Sequence, residues 1–148
     1  MRGAVMNTTN TRLIRESFAG AGAMMAATNT TLVLSFYERL FATAPELRGM
    51  FAIDIVVQAE KLERTLEFAI ASLSNLDLMV EPLRDLGARH KAYGVKVSHY
   101  AVIANTLIAT LAAEWGPNWT DDHDAAWREM LAFVSDKMIE GAQMRSAA

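Results

Sequence analysis

Few side chains in this sequence are equipped for chemistry, and the imidazoles come first. There are three, His90, His99 and His123. An imidazole can hold a metal through one ring nitrogen while an acceptor fixes the other. His90 falls four residues after Leu86 in the stretch Leu86-Gly87-Ala88-Arg89-His90-Lys91-Ala92-Tyr93-Gly94-Val95, so on a helix the two share a face. His99 follows Ser98, which reads as a helix cap, and suits a surface position. His123 stands among Asp121, Asp122 and Asp124, as a solvated helix start would, and is assigned no role. Two other side chains can meet a polar ligand. The Tyr37 phenol can donate from an apolar helix face, although a core tyrosine bonding some carbonyl is its plainer role. The Gln58 amide can donate but carries no titratable proton, which suits holding a ligand more than acid catalysis. A surface glutamine is its plainer role.

The totals narrow the classes. At 148 residues the chain reads as one domain over 1–148, with residues 1–9 a polar, frayed extension. A hydrophobic share of 52% excludes a disordered chain. The net charge of −3 offers no basic field for nucleic acid or an anionic membrane, so neither is an expected partner. The absence of cysteine excludes disulfides, zinc–thiolate sites, iron–sulfur clusters and thiol catalysis, and fits a reducing cytoplasm. Ser17 to Tyr37 carries no interior charge and is long enough to cross a bilayer. Gly20, Gly22 and the run Thr28-Asn29-Thr30-Thr31 leave it only moderately apolar, and Glu16 argues against a signal peptide. Asn-x-Thr triplets at Asn7, Asn29 and Asn118 are read as chance.

The elements that must position these residues are helical. A first helix is expected from about Thr11 to Gly20, ended by Gly20-Ala21-Gly22. A second is expected from about Met24 to Ala42, with Leu32, Phe36 and Leu40 at helical spacing. Ala44-Pro45 stops it, and Pro45 opens a short helix to Met50. From about Ile53 to Asn75, Leu62, Leu66, Ala69 and Leu73 make the clearest amphipathic stripe. The next helix is expected near Pro82, carries His90 and stops at Gly94. Ser98 caps another, with Tyr100, Ile103, Leu107 and Leu111 buried. A corner at Trp115–Trp119 precedes the last helix, whose stripe is Trp127, Met130, Val134 and Met138. No stretch alternates as a strand does. The class expected is all-α, with about six helices.

The order of these signals resembles bacterial single-domain globins, similar to the haem domain of flavohaemoglobins and to Vitreoscilla-type haemoglobin. Phe36-Tyr37-x-x-Leu40-Phe41, Pro45-Glu46-Leu47-Arg48 and Phe51 resemble the second helix and the corner after it. Gln58-x-x-Lys61-Leu62 resembles the distal helix. Arg89-His90, Gly94-Val95 and His99-Tyr100 resemble the proximal region. The likeness covers roughly Leu13 to Ala142. It implies a globin fold, a three-over-three helical sandwich around haem b, iron protoporphyrin IX. It makes His90 the iron ligand, Tyr37 and Gln58 the distal polar pair, Phe51 the corner ring against the porphyrin, and Leu62 the cap of the distal pocket. Val95, Tyr100 and Ile103 fall at cofactor-contacting positions, and Lys61 and Arg89 are placed to meet haem propionates. In the family pattern the proximal histidine is also buttressed by a tyrosine, which Tyr100 matches, and by a glutamate on the last helix. Here Ala142 stands at that position, with Glu140 about 200° away around the helix, which argues against peroxidase-like chemistry.

The resemblance implies a protein that binds dioxygen at ferrous iron, with nitric oxide dioxygenation as the candidate reaction, Tyr37 and Gln58 holding the bound dioxygen. With no Gly-x-Gly-x-x-Gly fingerprint and no room for a flavin or nicotinamide domain, turnover would draw on an external electron donor. Two rivals differ in class. One is a globin-type gas or redox sensor or stress module, in some cases without haem, acting through protein partners. The other is a helical interaction protein with a methionine-rich surface.

Overall fold

The computed structural model describes residues 6–27, 31–51 and 54–145. Among these are six α-helices and no strand, in keeping with the expected class. They are α1 (Thr8–Ala27), α2 (Leu32–Thr43), α3 (Ile55–Ala71), α4 (Asp77–Ala92), α5 (Val97–Trp115) and α6 (Asp121–Arg145). Short 3-10 helices occupy Pro45–Met50 and Gly116–Asn118.

Side chains set several of the boundaries. Thr31 caps α2 by accepting from the Leu34 N–H at 3.2 Å, and Asp54 caps α3 by accepting from the Val56 N–H at 2.8 Å. Pro45 opens the 3-10 helix as expected. α1 departs from expectation, because it runs through Gly20-Ala21-Gly22 and takes in Met24, leaving α2 to begin at Leu32. Gly20 lies so close to Trp115 that a Cβ would run into the indole. That glycine serves a helix crossing and does not stop a helix. One turn earlier the buried Ser17 hydroxyl accepts from Trp127 Nε1 at 2.8 Å. Residues 6–9 do not fray as expected: Met6 is buried, its N–H donates to the Leu73 carbonyl at 3.1 Å, and α1 begins at Thr8. Residues 1–5, Ile53 and the Asn29 triplet's first two positions lie outside the described residues.

α4 begins at Asp77, five residues before Pro82. The carbonyl that Pro82 cannot bond belongs to Leu78, which is exposed, so the defect falls on the solvent side. α5 is capped differently from expectation. Lys96 is its N-cap, Ser98 lies inside the first turn, and the His99 ring bonds back to the Lys96 N–H at 3.0 Å.

The core gathers Phe36, Leu40, Leu73, Met79, Leu111 and Trp127, each with almost no solvent contact. Of the expected α6 stripe, Trp127, Met130 and Met138 are buried and Val134 only partly. α4 and α6 form the most extensive helix pair. A Cβ on Gly87 would strike the backbone of Met138, and one on Gly141 the backbone of Arg84, so these two helices touch main chain to main chain. α2 packs on α3 and α5, and α1 on α5 and α6. α3 and α4, which carry Gln58 and His90, are not among the helix pairs in extensive contact.

Candidate functional site

The last turn of α4 is fixed at both its backbone and its side chain. Gly94 has φ 92°, a conformation that costs glycine nothing. The Val95 N–H donates to the His90 carbonyl at 3.1 Å and the Gly94 N–H to the Lys91 carbonyl at 3.0 Å. This pair of reversed bonds is a Schellman cap, and His90 is the residue whose carbonyl it closes. The His90 ring sits one turn above the Leu86 carbonyl, 2.8 Å from Nδ1. A carbonyl can only accept, so Nδ1 carries the proton and Nε2 keeps its lone pair. No hydrogen bond to Nε2 occurs among the described residues. Burial holds the imidazole below its ordinary pKa, the Leu86 bond opposes that, and the neighbouring Arg89 charge adds to it. The ring is therefore neutral at neutral pH, the form in which an imidazole binds a metal.

The second group centres on Tyr37 of α2. Its ring lies 5.0 Å from Phe36, 5.8 Å from Phe41 and 5.4 Å from Phe51, centroid to centroid. Phe41 and Phe51 are 5.5 Å apart, and the Arg48 guanidinium lies 4.8 Å over Phe41. The 3-10 helix after α2 brings Phe51 back onto this cluster. Tyr37 is buried, which pushes its phenol up to about 12, with a hydrogen bond to the Gln58 side chain pulling the other way. The phenol thus stays protonated and able to donate. Gln58 stands in the first turns of α3, its N–H on the carbonyl of the cap residue Asp54 at 3.1 Å. Tyr37, Phe51 and Gln58, scattered over 22 positions of sequence, form one group.

A model of the globin family matches residues 34–138, more than half of the chain. The chain belongs to the globin family. Among curated relatives, the flavohemoprotein of Bacillus subtilis is 27% identical over 74% of this chain, and that of Rhizobium meliloti 22% identical over 85%. The chain spans 28% and 32% of those two proteins' lengths. Zebrafish (Danio rerio) neuroglobin is 24% identical, with 87% of each chain covered. Two solved structures share the fold. An engineered carbene transferase, a candidate nitric oxide dioxygenase from Rhodothermus marinus, gives a TM-score of 0.78 at 21% identity over 97% of this chain and 98% of that one. A hexacoordinated haem protein from a tardigrade gives 0.75 at 14% identity, over 93% and 96%.

Membership in the family carries haem binding and the binding of a diatomic gas such as oxygen. The residues present in this globin fit that cofactor. A neutral, doubly anchored imidazole offers Nε2 from α4, and a buried phenol on α2 stands near a half-buried amide on α3. The other expected positions are more dispersed. Leu62 is half-buried one turn after Gln58 and packs against the core. Val95 belongs to the Schellman cap, and Ile103 is half-buried on α5. Lys61 and Arg89 are both exposed. Tyr100 is half-buried, its phenol raised by burial, and lines an open groove between α5 and α6 with Leu131 and Ser135. No bond from Tyr100 to His90 is found among the described residues; the Nδ1 partner is Leu86. Glu140 is bound by Arg84 and by Lys137 at 3.1 Å, so it too is engaged away from the imidazole.

His123 corrects the sequence reading. It is 5% exposed, not solvated. Its Nδ1 accepts from the Thr120 N–H at 3.1 Å, and Nε2 meets Glu16 Oε1 of α1 at 2.9 Å. Trp115 stands edge-on at 4.9 Å and Trp119 stacks at 5.5 Å. The three aspartates beside it in sequence point to solvent exposure, and the two tryptophans upstream were the signal against it. Both its nitrogens are used, as is the Nδ1 of His99.

Proposed function

We propose that this globin binds dioxygen at the ferrous iron of haem b, ligated by His90, and that it can turn over as a nitric oxide dioxygenase with an external reductant. The observation that carries the reading is the state of His90: neutral, with Nδ1 bonded to a backbone carbonyl and Nε2 free. When bound, the cofactor supplies ferrous iron at which dioxygen and nitric oxide combine to nitrate, leaving ferric iron for one-electron reduction. The chain's residues do the rest. Gln58 pulls the Tyr37 phenol down against burial, the direction expected of an amide N–H facing the phenol oxygen, which leaves the phenol proton for a ligand. A phenol held near pKa 12 donates its hydrogen bond to a partly negative ligand without surrendering the proton. Phe51, Phe41 and Leu62 line this side with apolar surface and keep water from the ligand. On the other side, a backbone carbonyl as the partner of Nδ1 leaves the imidazole a modest donor, without the negative charge a carboxylate would lend. That favours holding dioxygen over cleaving its O–O bond. Lys61 and Arg89 are offered to the propionates and Val95, Tyr100 and Ile103 to the macrocycle.

The test is the ferric and ferrous-oxy absorption spectrum of the purified protein. It is expected to be red, with an intense band near the violet edge. A colourless protein that takes up no added haemin overturns the reading.

A further inference from the structure

The corner that joins α4 to α5 differs in charge from the rest of the surface. From Leu86 to Ala113 there are three of the chain's 14 basic residues, Arg89, Lys91 and Lys96, and none of its 17 acidic ones. All three cations are exposed. So are two large apolar side chains between and beside them, Tyr93 at 69% and Val97 at 61%, the two most exposed large hydrophobics among the described residues. The Tyr93 ring lies 6.4 Å from the His90 ring, so the patch adjoins that histidine. A protein of net charge −3 thus gathers cations, an exposed aromatic and an exposed aliphatic beside His90.

We infer that this corner, with Lys91, Tyr93, Lys96 and Val97 at its centre, is the docking surface for an acidic one-electron donor protein of the reduced-flavoprotein class. The inference rests on the haem reading above and names the partner that reading requires. Lysines around an apolar centre steer an acidic face into register and set its encounter rate. An exposed tyrosine supplies the anchor that drives short-lived protein contacts. A lipid headgroup surface is the poorer fit, because membrane recognition draws on clusters of about four to eight cations. Electron transfer then needs no proton: the donor is oxidised by one electron, and the iron at His90 passes from ferric to ferrous. Because α4 is locked by its cap, the docked partner meets His90 at a fixed depth.

The test uses haem-loaded protein and an acidic flavodoxin as the probe, with affinity read by biolayer interferometry at about 20 mM and about 300 mM salt. Binding is expected at low salt and should weaken at least tenfold, roughly, at high salt. The double variant Lys91→Glu/Lys96→Glu should lose at least about tenfold at low salt, and Tyr93→Ser should lose affinity at both salts. Arg12→Glu, a charge reversal on α1, should change nothing. The variants should keep the wild-type absorption spectrum, which separates loss of docking from loss of haem. Equal flavodoxin binding by wild type and the double variant, or no binding at all, overturns the inference. So does binding to phosphatidylserine vesicles that the double variant loses while flavodoxin is ignored. A wild-type protein that takes up no haemin overturns the function proposed above and is recognised from the spectrum before any binding is measured.

Discussion

On α2 the Tyr37 ring is clasped by three aromatic neighbours and its phenol is pulled down by Gln58, whereas among the described residues the His90 ring on α4 meets one aromatic, Tyr93, and leaves a nitrogen without a partner. The two sides of this globin's candidate site are therefore held by different means. The Tyr37 side is held by side-chain packing, and the phenol would keep its place whether or not a cofactor lay beside it. The His90 side is held by main chain: the Leu86 carbonyl under the ring, the Schellman cap above it, and backbone contact between α4 and α6 at Gly87 and Gly141. Packing can be loosened gradually by trimming atoms. A helix seated backbone to backbone has no side chain to trim, so its position is set in one step by the glycine.

The largest effect should come from removing the free nitrogen. His90→Ala is expected to abolish stable haem retention, read as loss of the intense violet-edge band after gel filtration. His99→Ala and His123→Ala should keep that band, because both of those rings already serve a cap or a buried pair. The reverse pattern would place the iron on another histidine and dissolve the contrast between the two sides.

Next comes the seat of α4. Gly87→Ala puts a methyl into the Met138 backbone, which cannot swing aside. Overpacking of this kind costs about 1–3 kcal/mol, and α4 should shift with His90 on it. The expected result is a lower melting temperature together with faster haem loss. Gly22→Ala is the control: it meets nothing within 4 Å inside a helix, so it should stabilise by roughly 0.5–1 kcal/mol. A Gly87→Ala protein as stable as wild type would show that the α4–α6 contact gives easily.

On the other side, Tyr37→Phe removes one hydrogen bond and leaves the aromatic cluster in place. A hydrogen bond to a charged group contributes roughly 1.5–3 kcal/mol, so dioxygen dissociation should quicken roughly ten- to hundredfold in stopped-flow measurements. An unchanged rate would assign the ligand to Gln58 alone.

Where the sequence could be read, the reason was local, and where it misled, the cause was distant. The stripe expected on the third helix follows from helical spacing: Leu66 and Ala69 are buried on α3, Leu62 is half-buried, and Leu73 is buried just past the helix end at Ala71. The Gly94 stop follows from a backbone conformation that glycine adopts freely, and it falls where expected. Tyr37 beside Phe51 and Gln58 was legible only through the ordered motifs, since nothing local says that three turns of chain fold back on one ring. Gly20 and His123 show the opposite case. Local rules make glycine a helix stop and a histidine among aspartates a surface residue. Trp115, far from Gly20 in sequence, turns that glycine into a contact and also walls in His123, whose partner Glu16 lies on another helix. Ser98 is a subtler case, a good capping residue passed over because the ring at His99 bonds the Lys96 N–H instead.

The smallest effect separates the two members of the polar pair by pH. In the folded protein Tyr37 ionises near 12, while an unfolded tyrosine does so near its ordinary value of 10.0. Below the lower value both states hold the proton, and Tyr37 contributes no pH dependence. Above it the unfolded chain releases its proton first, so stability falls as pH rises, by at most about 1.4 kcal/mol per pH unit from this residue, until the folded phenol ionises too. Against Tyr37→Phe, wild-type urea midpoints should therefore decline more steeply above pH 10.0 and run parallel below it. Gln58→Leu deletes the bond that holds the phenol down and leaves burial unopposed. The onset, fixed by the unfolded chain, should stay where it is, and only the end of the decline should move to higher pH. A shift of the onset would mean that Gln58 acts on the unfolded state, and no shift at all would mean that its amide is turned away from Tyr37 in solution.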